Sequence, residues 1–364
     1  MNGVERHSGV RRDAAGDRLA RNAKPDPEET PMTTNRQILL TETPQGKLAE
    51  SHFKFSPDGK MPEAKDGELL LRTKLISLDA ANRAWMQGAT YRSAVEAGTV
   101  MAGGSVSEVV EAKAPGFAKG DLVFADTGWQ DYAAVPAKTA QKLPKMEPLS
   151  HLLSVYGIAG LTAYFGLLEV GKPKAGDTVV VSAAAGSVGT IVGQIAKIKG
   201  CTVIGIAGGA KKCKLLTDEL GFDAAIDYKA EPVGKALRKA APKGIDVYFD
   251  NVGGDILEAV LFGMNNFGRI ACCGAVSQYD GAAPAHGPRG IPGLIVVKRI
   301  TMQGFIVMDY ADRHDAALAE LQGWVSSGKI KVMEDIMDGL ENTPKALIGL
   351  LAGDNVGKRM IRVS

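Results

Sequence analysis

The chain of 364 residues is 45% hydrophobic, 23% charged and 6% aromatic, with 44 glycines and a net charge of +2. At roughly 100–200 residues per domain, that length predicts two domains with a full core. No concentrated basic patch marks a nucleic-acid binder, and four cysteines in such a length exclude a disulfide scaffold. Unpaired cysteines point to a reducing, cytoplasmic compartment.

Residues 1–31 hold six basic and six acidic side chains and no apolar run, so neither a signal peptide nor a transit peptide is read there. The composition predicts a disordered extension. From 32 to 150 the pattern is mostly β: Glu68–Ser77, Ser105–Glu111 and Gly120–Asp126 read as short strands between turn residues. Leu152–Leu168 is uncharged and close to membrane length, but Gly157, Gly160 and Gly166 break it. A membrane span needs about 20 mostly apolar residues, so this stretch is read as a buried helix at a domain junction.

From 178 onward strand-like and helix-like runs alternate. Strands are expected at 178–184, 201–207, 224–228, 245–250 and 269–273, with the first helix over 186–199. That alternation predicts βαβ units, hence an α/β domain built on a doubly wound parallel sheet beside a β-rich domain. The C-terminal part adds a helix over 313–326, a strand at 331–333, a helix over 344–352 and a last strand at 358–363.

The strongest chemical signal is Val181-Ser-Ala-Ala-Ala-Gly-Ser-Val-Gly189. It reads as a dinucleotide fingerprint whose first glycine is replaced by Ala184. Gly186 permits close approach to a pyrophosphate, and Gly189 permits tight packing of helix on strand. The helix N-terminus would offer unpaired N–H groups to the anion. The bland reading is an ordinary tight turn, but the loop follows a strand and opens a helix, as the motif requires. NAD binders place an acid about 20 residues further on. Here the sequence is Ile206-Ala-Gly-Gly-Ala-Lys-Lys212, with no carboxylate. Lys211 and Lys212 favour NADP(H), against the alternative of a solvated first helical turn. The five histidines (His7, His52, His151, His286, His314) lack zinc-site spacing. No metal is expected, and His286 is assigned no role.

Gly160-Leu-Thr-Ala-Tyr-Phe-Gly166, Ala183–Gly189, Tyr248-Phe-Asp-Asn-Val-Gly-Gly254 and Cys273-Gly-Ala-Val-Ser-Gln-Tyr279 together resemble the zinc-independent medium-chain reductases. Within them they resemble the leukotriene B4 dehydrogenase / 15-oxoprostaglandin 13-reductase group, with its double-bond and curcumin reductases. The likeness runs from about Asn35 to the C-terminus and includes Gly128–Ala133 and Gly353–Lys358.

The resemblance implies a GroES-like domain (32–154 and 308–364) around a Rossmann domain (155–307). It also implies a homodimer and a small unsaturated carbonyl substrate, with no nucleic-acid or membrane partner. The activity implied is NADPH-dependent reduction of a C=C bond conjugated to a ketone or aldehyde, by hydride transfer to the β-carbon. Quinone or carbonyl reduction, and a non-catalytic NADPH-binding protein, are the rival readings.

By motif, Ala185, Gly186, Ser187, Val188 and Gly189 would hold the pyrophosphate, Lys212 the 2′-phosphate, and Tyr228 the adenosine end. Asn251 would bond near the nicotinamide half, and Asn355 would close over the cofactor. Cys273, Gly274, Ala275, Val276, Ser277, Gln278 and Tyr279 would line the nicotinamide and its ribose, with Phe305, Ile306 and Val307 on the other side. Core packing is the alternative for Tyr228 and Phe305. Tyr279 is the catalytic candidate, as a donor to the substrate oxygen or through the ribose hydroxyl; the alternative is an aromatic packed over the ribose. Ala81 and Val297 stand where many members carry aromatics, which implies a roomier pocket.

Overall fold

The computed structural model describes residues 34–281 and 287–364; the extension 1–31 and His286 lie outside the described residues. Two large sheets organise the described residues, beside a two-stranded ribbon of Thr34–Leu40 and Phe53–Lys60. Thr178–Ser182 is buried at every position because its alternate side chains enter two different cores. Val179 and Val181 pack with Ile191 and Ile195 of the helix Ser187–Ile198, while Val180 packs with Leu237, Leu257 and Leu261 on the opposite face. A strand covered on both faces reads as a continuous apolar run, which is why Thr178-Val-Val-Val could be found by composition.

Around this central strand lies a six-stranded parallel sheet. In spatial order its strands are Ala224–Asp227, Thr202–Ala207, Thr178–Ser182, Ile245–Asp250, Met264–Cys272 and Thr301–Gly304. In chain order this is 3-2-1-4-5-6, the doubly wound dinucleotide arrangement. The strand order reverses between Thr178–Ser182 and Ile245–Asp250, where a crevice opens beyond the carboxyl ends.

The second sheet has seven strands and is mostly antiparallel, centred on Glu68–Ser77. Its far edge comes from the C-terminus: Lys358–Arg362 pairs with Leu75–Ser77, and Glu334–Asp338 pairs with Lys358–Arg362. Together the two sheets make an α/β fold with a β-rich, GroES-like half.

The strand expected at 331–333 is displaced to Glu334–Asp338. The Gln194 amide takes both backbone groups of Lys331, at 2.8 and 3.0 Å, so pairing with the last strand begins only at Met333, whose carbonyl accepts from Lys358 N–H at 2.9 Å. The buried helix expected over 152–168 is the eight-residue helix Ile158–Phe165, which widens into a π-helical turn over Gly166–Gly171. Among the described residues no helix is long and apolar enough to cross a membrane.

Candidate functional site

One cleft of about 1520 Å³ runs between the two sheets. Its floor is the phosphate loop. Ala183 takes a left-handed φ of +47° and its carbonyl accepts from Gly186 N–H at 2.9 Å, closing the turn. Thus the tight turn sits on Ala183, one residue before the expected Ala184. A Cβ on Gly189 would lie 2.4 Å from Ala183 O, so only glycine lets the helix seat on the strand. No side chain caps the N-terminus of Ser187–Ile198, and its first-turn amides are available to an anion. The C-terminal segment lies alongside: Gly357 N–H donates to Ala185 O at 2.8 Å, and Asn355, buried and lining the cleft, is fixed by donating to Gly357 O.

At the end of Thr202–Ala207 the chain continues with Gly208 and Gly209. Asp227, ending the next strand, accepts from the Gly209 and Lys229 amides at 2.8 and 3.0 Å. Lys212 lines the cleft, with Nζ donating to Gly353 O at 2.6 Å. Burial, and then the charge of Lys229, push its pKa down. Two cations this close favour an anion between them. Lys229 was missed in the sequence because it lies 17 residues beyond Lys212 and meets it only through the strand pairing. Tyr228 is 43% exposed and lines the cleft across Gly208, so it is not a core residue.

Across the switch point, Asn251 donates from Nδ2 to Ser182 O at 2.7 Å, which leaves Oδ1 as its acceptor toward the cleft. The turn that presents it is tied by Asp250. One carboxylate oxygen accepts from Val252 N, Gly253 N and the Tyr248 hydroxyl at 2.8–3.0 Å. Asp250 is a second residue given no role from the sequence, although it lies inside the quoted Tyr248–Gly254.

The segment after strand Met264–Cys272 brings Cys273, Gly274, Val276, Ser277 and Tyr279 to the cleft; Ala275 and Gln278 are not among its lining residues. The Tyr279 hydroxyl accepts from Ala275 N–H at 3.1 Å, so its own proton stays free to donate. Burial, then the Asp250 charge, push the Cys273 thiol up to about 12. Phe305, Ile306 and Val307 form the facing wall. Phe305 also meets Phe249 edge-on at 6.2 Å and fills the space above Gly166, so it serves both packing and lining. Ala81 lines the cleft. Val297 does not: it is 68% exposed, on the outward side of the short helix Gly293–Lys298, and it does not enlarge the pocket.

The helix N-terminus, the acid-free strand end and the paired lysines fit a dinucleotide carrying a 2′-phosphate. Among the described residues no group of three or more His, Cys, Asp or Glu is placed to hold a metal ion.

Residues 36–143 match the family described as the N-terminal domain of oxidoreductase, and residues 187–323 match the family described as zinc-binding dehydrogenase. The NADPH-dependent curcumin reductase of Escherichia coli is 44% identical over 336 residues, covering 91% of this chain and 97% of that protein. This chain is a medium-chain dehydrogenase/reductase of the double-bond reductase group. Prostaglandin reductase 1 of Bos taurus is another relative, 42% identical over 309 residues, or 83% of this chain and 92% of that one. The solved CurA of Vibrio vulnificus in complex with NADPH superposes with a TM-score of 0.86 at 42% identity, covering 90% of this reductase and 99% of CurA.

Proposed function

We propose that this reductase uses NADPH to reduce the C=C bond of α,β-unsaturated ketones or aldehydes. The observation that carries the reading is the continuous cleft joining an NADP-type phosphate loop to a pocket whose polar donor is Tyr279. The names of the curcumin, 2-alkenal and (+)-pulegone reductases among its relatives agree with it.

When bound, NADPH supplies the hydride that the β-carbon of the substrate receives. Negative charge then builds on the substrate carbonyl oxygen, where a fixed donor in a water-poor pocket is most effective. Tyr279 serves as that donor. Its oxygen is held by Ala275 N–H, which orients the ring, polarises the hydroxyl and leaves the proton pointing away from its anchor. The α-carbon proton comes from solvent. Ala185, Gly186, Ser187, Val188, Gly189, Lys212, Tyr228, Asn251, Asn355, the wall residues Cys273, Gly274, Val276, Ser277 and Tyr279, and Phe305–Val307 bind and orient the cofactor.

We assign the chain to the cytoplasm, in line with its four free cysteines, and propose a homodimer. Among the described residues, the strand Thr301–Gly304 leaves one sheet edge unpaired, next to exposed Phe267, Val296 and Val297; an edge of that kind is a pairing surface. We divide the chain as 32–154 with 308–364 around 155–307. The helix His314–Ser326 bridges them, since its Leu321 packs in the parallel-sheet core.

The test is NADPH consumption with a panel of enones, enals, quinones and ketones, with the products identified. A saturated ketone from an enone is expected. An allylic alcohol, or turnover confined to quinones, overturns the alkene assignment, and binding without turnover leaves only a nucleotide-binding protein.

A further inference from the structure

The loop that carries Tyr279 is gripped from the opposite half of the molecule. Arg83, in the short helix Ala81–Trp85, is 1% exposed. Its Nε donates to Asp280 Oδ1 at 3.2 Å, and Nη2 donates to Gly46 O at 2.7 Å and Pro44 O at 3.4 Å. The same Asp280 oxygen accepts from Leu48 N–H at 2.7 Å. Two residues beyond the helix, exposed Gln87 donates to the backbone carbonyl of Tyr279 at 3.1 Å. None of these bonds comes from the parallel-sheet half, yet they hold the two residues at the tip of its loop.

We propose that Arg83, Asp280 and Gln87 form a positioning latch that sets the Tyr279 hydroxyl over the substrate carbonyl. This rests on the reading of Tyr279 as the donor. A buried guanidinium is tolerable only while paired, and charge-assisted bonds in a low-dielectric setting are short and directional. A shift of the loop by an ångström breaks the Arg83–Asp280 bond and leaves the buried guanidinium with only the Gly46 and Pro44 carbonyls. Tyr279 is then held at three points: its hydroxyl by Ala275, its backbone carbonyl by Gln87, and its successor Asp280 by Arg83 and Leu48. Misplacement of a catalytic group by about 1 Å lowers turnover by up to about a hundredfold. Arg83 does not line the cleft, so it acts through the loop and not on substrate.

The test uses Asp280→Asn, Arg83→Lys and Gln87→Leu, each alone and combined with Tyr279→Phe. The readouts are kcat and KM for a simple aryl enone, NADPH affinity by fluorescence, and melting temperature. The expected result is a five- to fiftyfold fall in kcat for each single variant, with enone KM and NADPH affinity within about twofold. In the Tyr279→Phe background the same changes add less than twofold, because the hydroxyl they position is already gone. Losses that multiply on that background, or single variants with wild-type kcat, overturn the latch while leaving the enone activity standing. Full kcat in Tyr279→Phe itself overturns the donor reading and the latch together. Gln87 is exposed, so its variant tests the proposal even where a change at buried Arg83 prevents folding.

Discussion

Lys212 and Lys229 are the residues we propose to favour NADPH over NADH. Burial, and then the charge of Lys229, push the Lys212 pKa down, and a bound anion would oppose both. A charge-assisted contact contributes about 1.5–3 kcal/mol. Lys212→Ala should therefore weaken NADPH binding about ten- to a hundredfold and leave NADH binding nearly unchanged, as titration of both cofactors would show. Equal wild-type affinity for the two would sink the assignment. A second residue-scale consequence concerns Cys273, whose thiol faces a pocket meant for electrophiles. With its pKa pushed up to about 12 by burial and the Asp250 charge, about one thiol in ten thousand is ionised at pH 8. Raising the pKa keeps the unreactive protonated form until the pH approaches that value. Iodoacetamide at pH 8 should modify half-buried Cys213 well before Cys273, with the order read by peptide mass spectrometry. Rapid labelling of Cys273 would contradict this.

Among the elements, the phosphate-loop helix separates two glycines that look alike in sequence. A Cβ at Gly186 meets only Ala183 O at 3.1 Å, whereas one at Gly189 meets Ala183 O at 2.4 Å and Ala184 Cα at 2.7 Å. Overpacking against backbone costs about 1–3 kcal/mol. Gly189→Ala should lower stability in urea by that amount, while Gly186→Ala should leave stability close to wild type and weaken NADPH. The reverse order of stabilities would show that the loop is built differently. A second element-scale contact ties the last strand to the residues that follow its neighbour Glu68–Ser77 in the same sheet: Lys358, 2% exposed, donates to Leu78 O at 3.0 Å and pairs with Asp79. Burial alone would raise the Asp79 pKa, but the Lys358 charge, with hydrogen bonds from Lys358 and Ser77, outweighs it and holds the pKa below the usual carboxylate value. A depressed carboxylate stabilises above its unfolded pKa, and that contribution is lost as the pH falls through the lower folded value. Asp79→Asn should thus be less stable than wild type at pH 7, with the gap narrowing below pH 4 in paired urea titrations. A gap independent of pH would rule out the ion pair as its source.

At the scale of the whole molecule, the two sheets close on one cleft that carries no metal-binding cluster among the described residues. The sequence reads Val100-Met-Ala-Gly103, without a histidine or a cysteine where the resemblance expects a ligand segment in zinc-dependent relatives. Dialysis against a strong chelator should leave enone turnover unchanged, and loss that zinc alone restores would overturn metal independence. Light scattering should show twice the chain mass, and replacing Val296 and Val297 by lysine should shift it toward the monomer. A wild-type mass of one chain would remove the dimer.

Local pattern was enough for the parallel-sheet half. Buried strands such as Thr178–Ser182 are continuous apolar runs, and Ser187–Ile198 shows helical spacing, so both are written within a few residues of chain. The phosphate loop and the acid-free end of Thr202–Ala207 were legible for the same reason, since each function resides in one short segment. Other features depend on partners far along the chain. Gln194 takes the backbone of Lys331 and moves a strand to Glu334–Asp338; Lys358 reaches Asp79 across 279 positions, and Arg83 reaches Asp280 across 197. No periodicity records such pairings, because a buried charge is placed by whatever the fold brings beside it. Sequence alone determined the fold class and the cofactor type. Tertiary structure decided which lysine lies near Lys212, where Val297 faces and which residues bond the Tyr279–Asp280 backbone and side chain, because each of those depends on chain segments that only packing brings together.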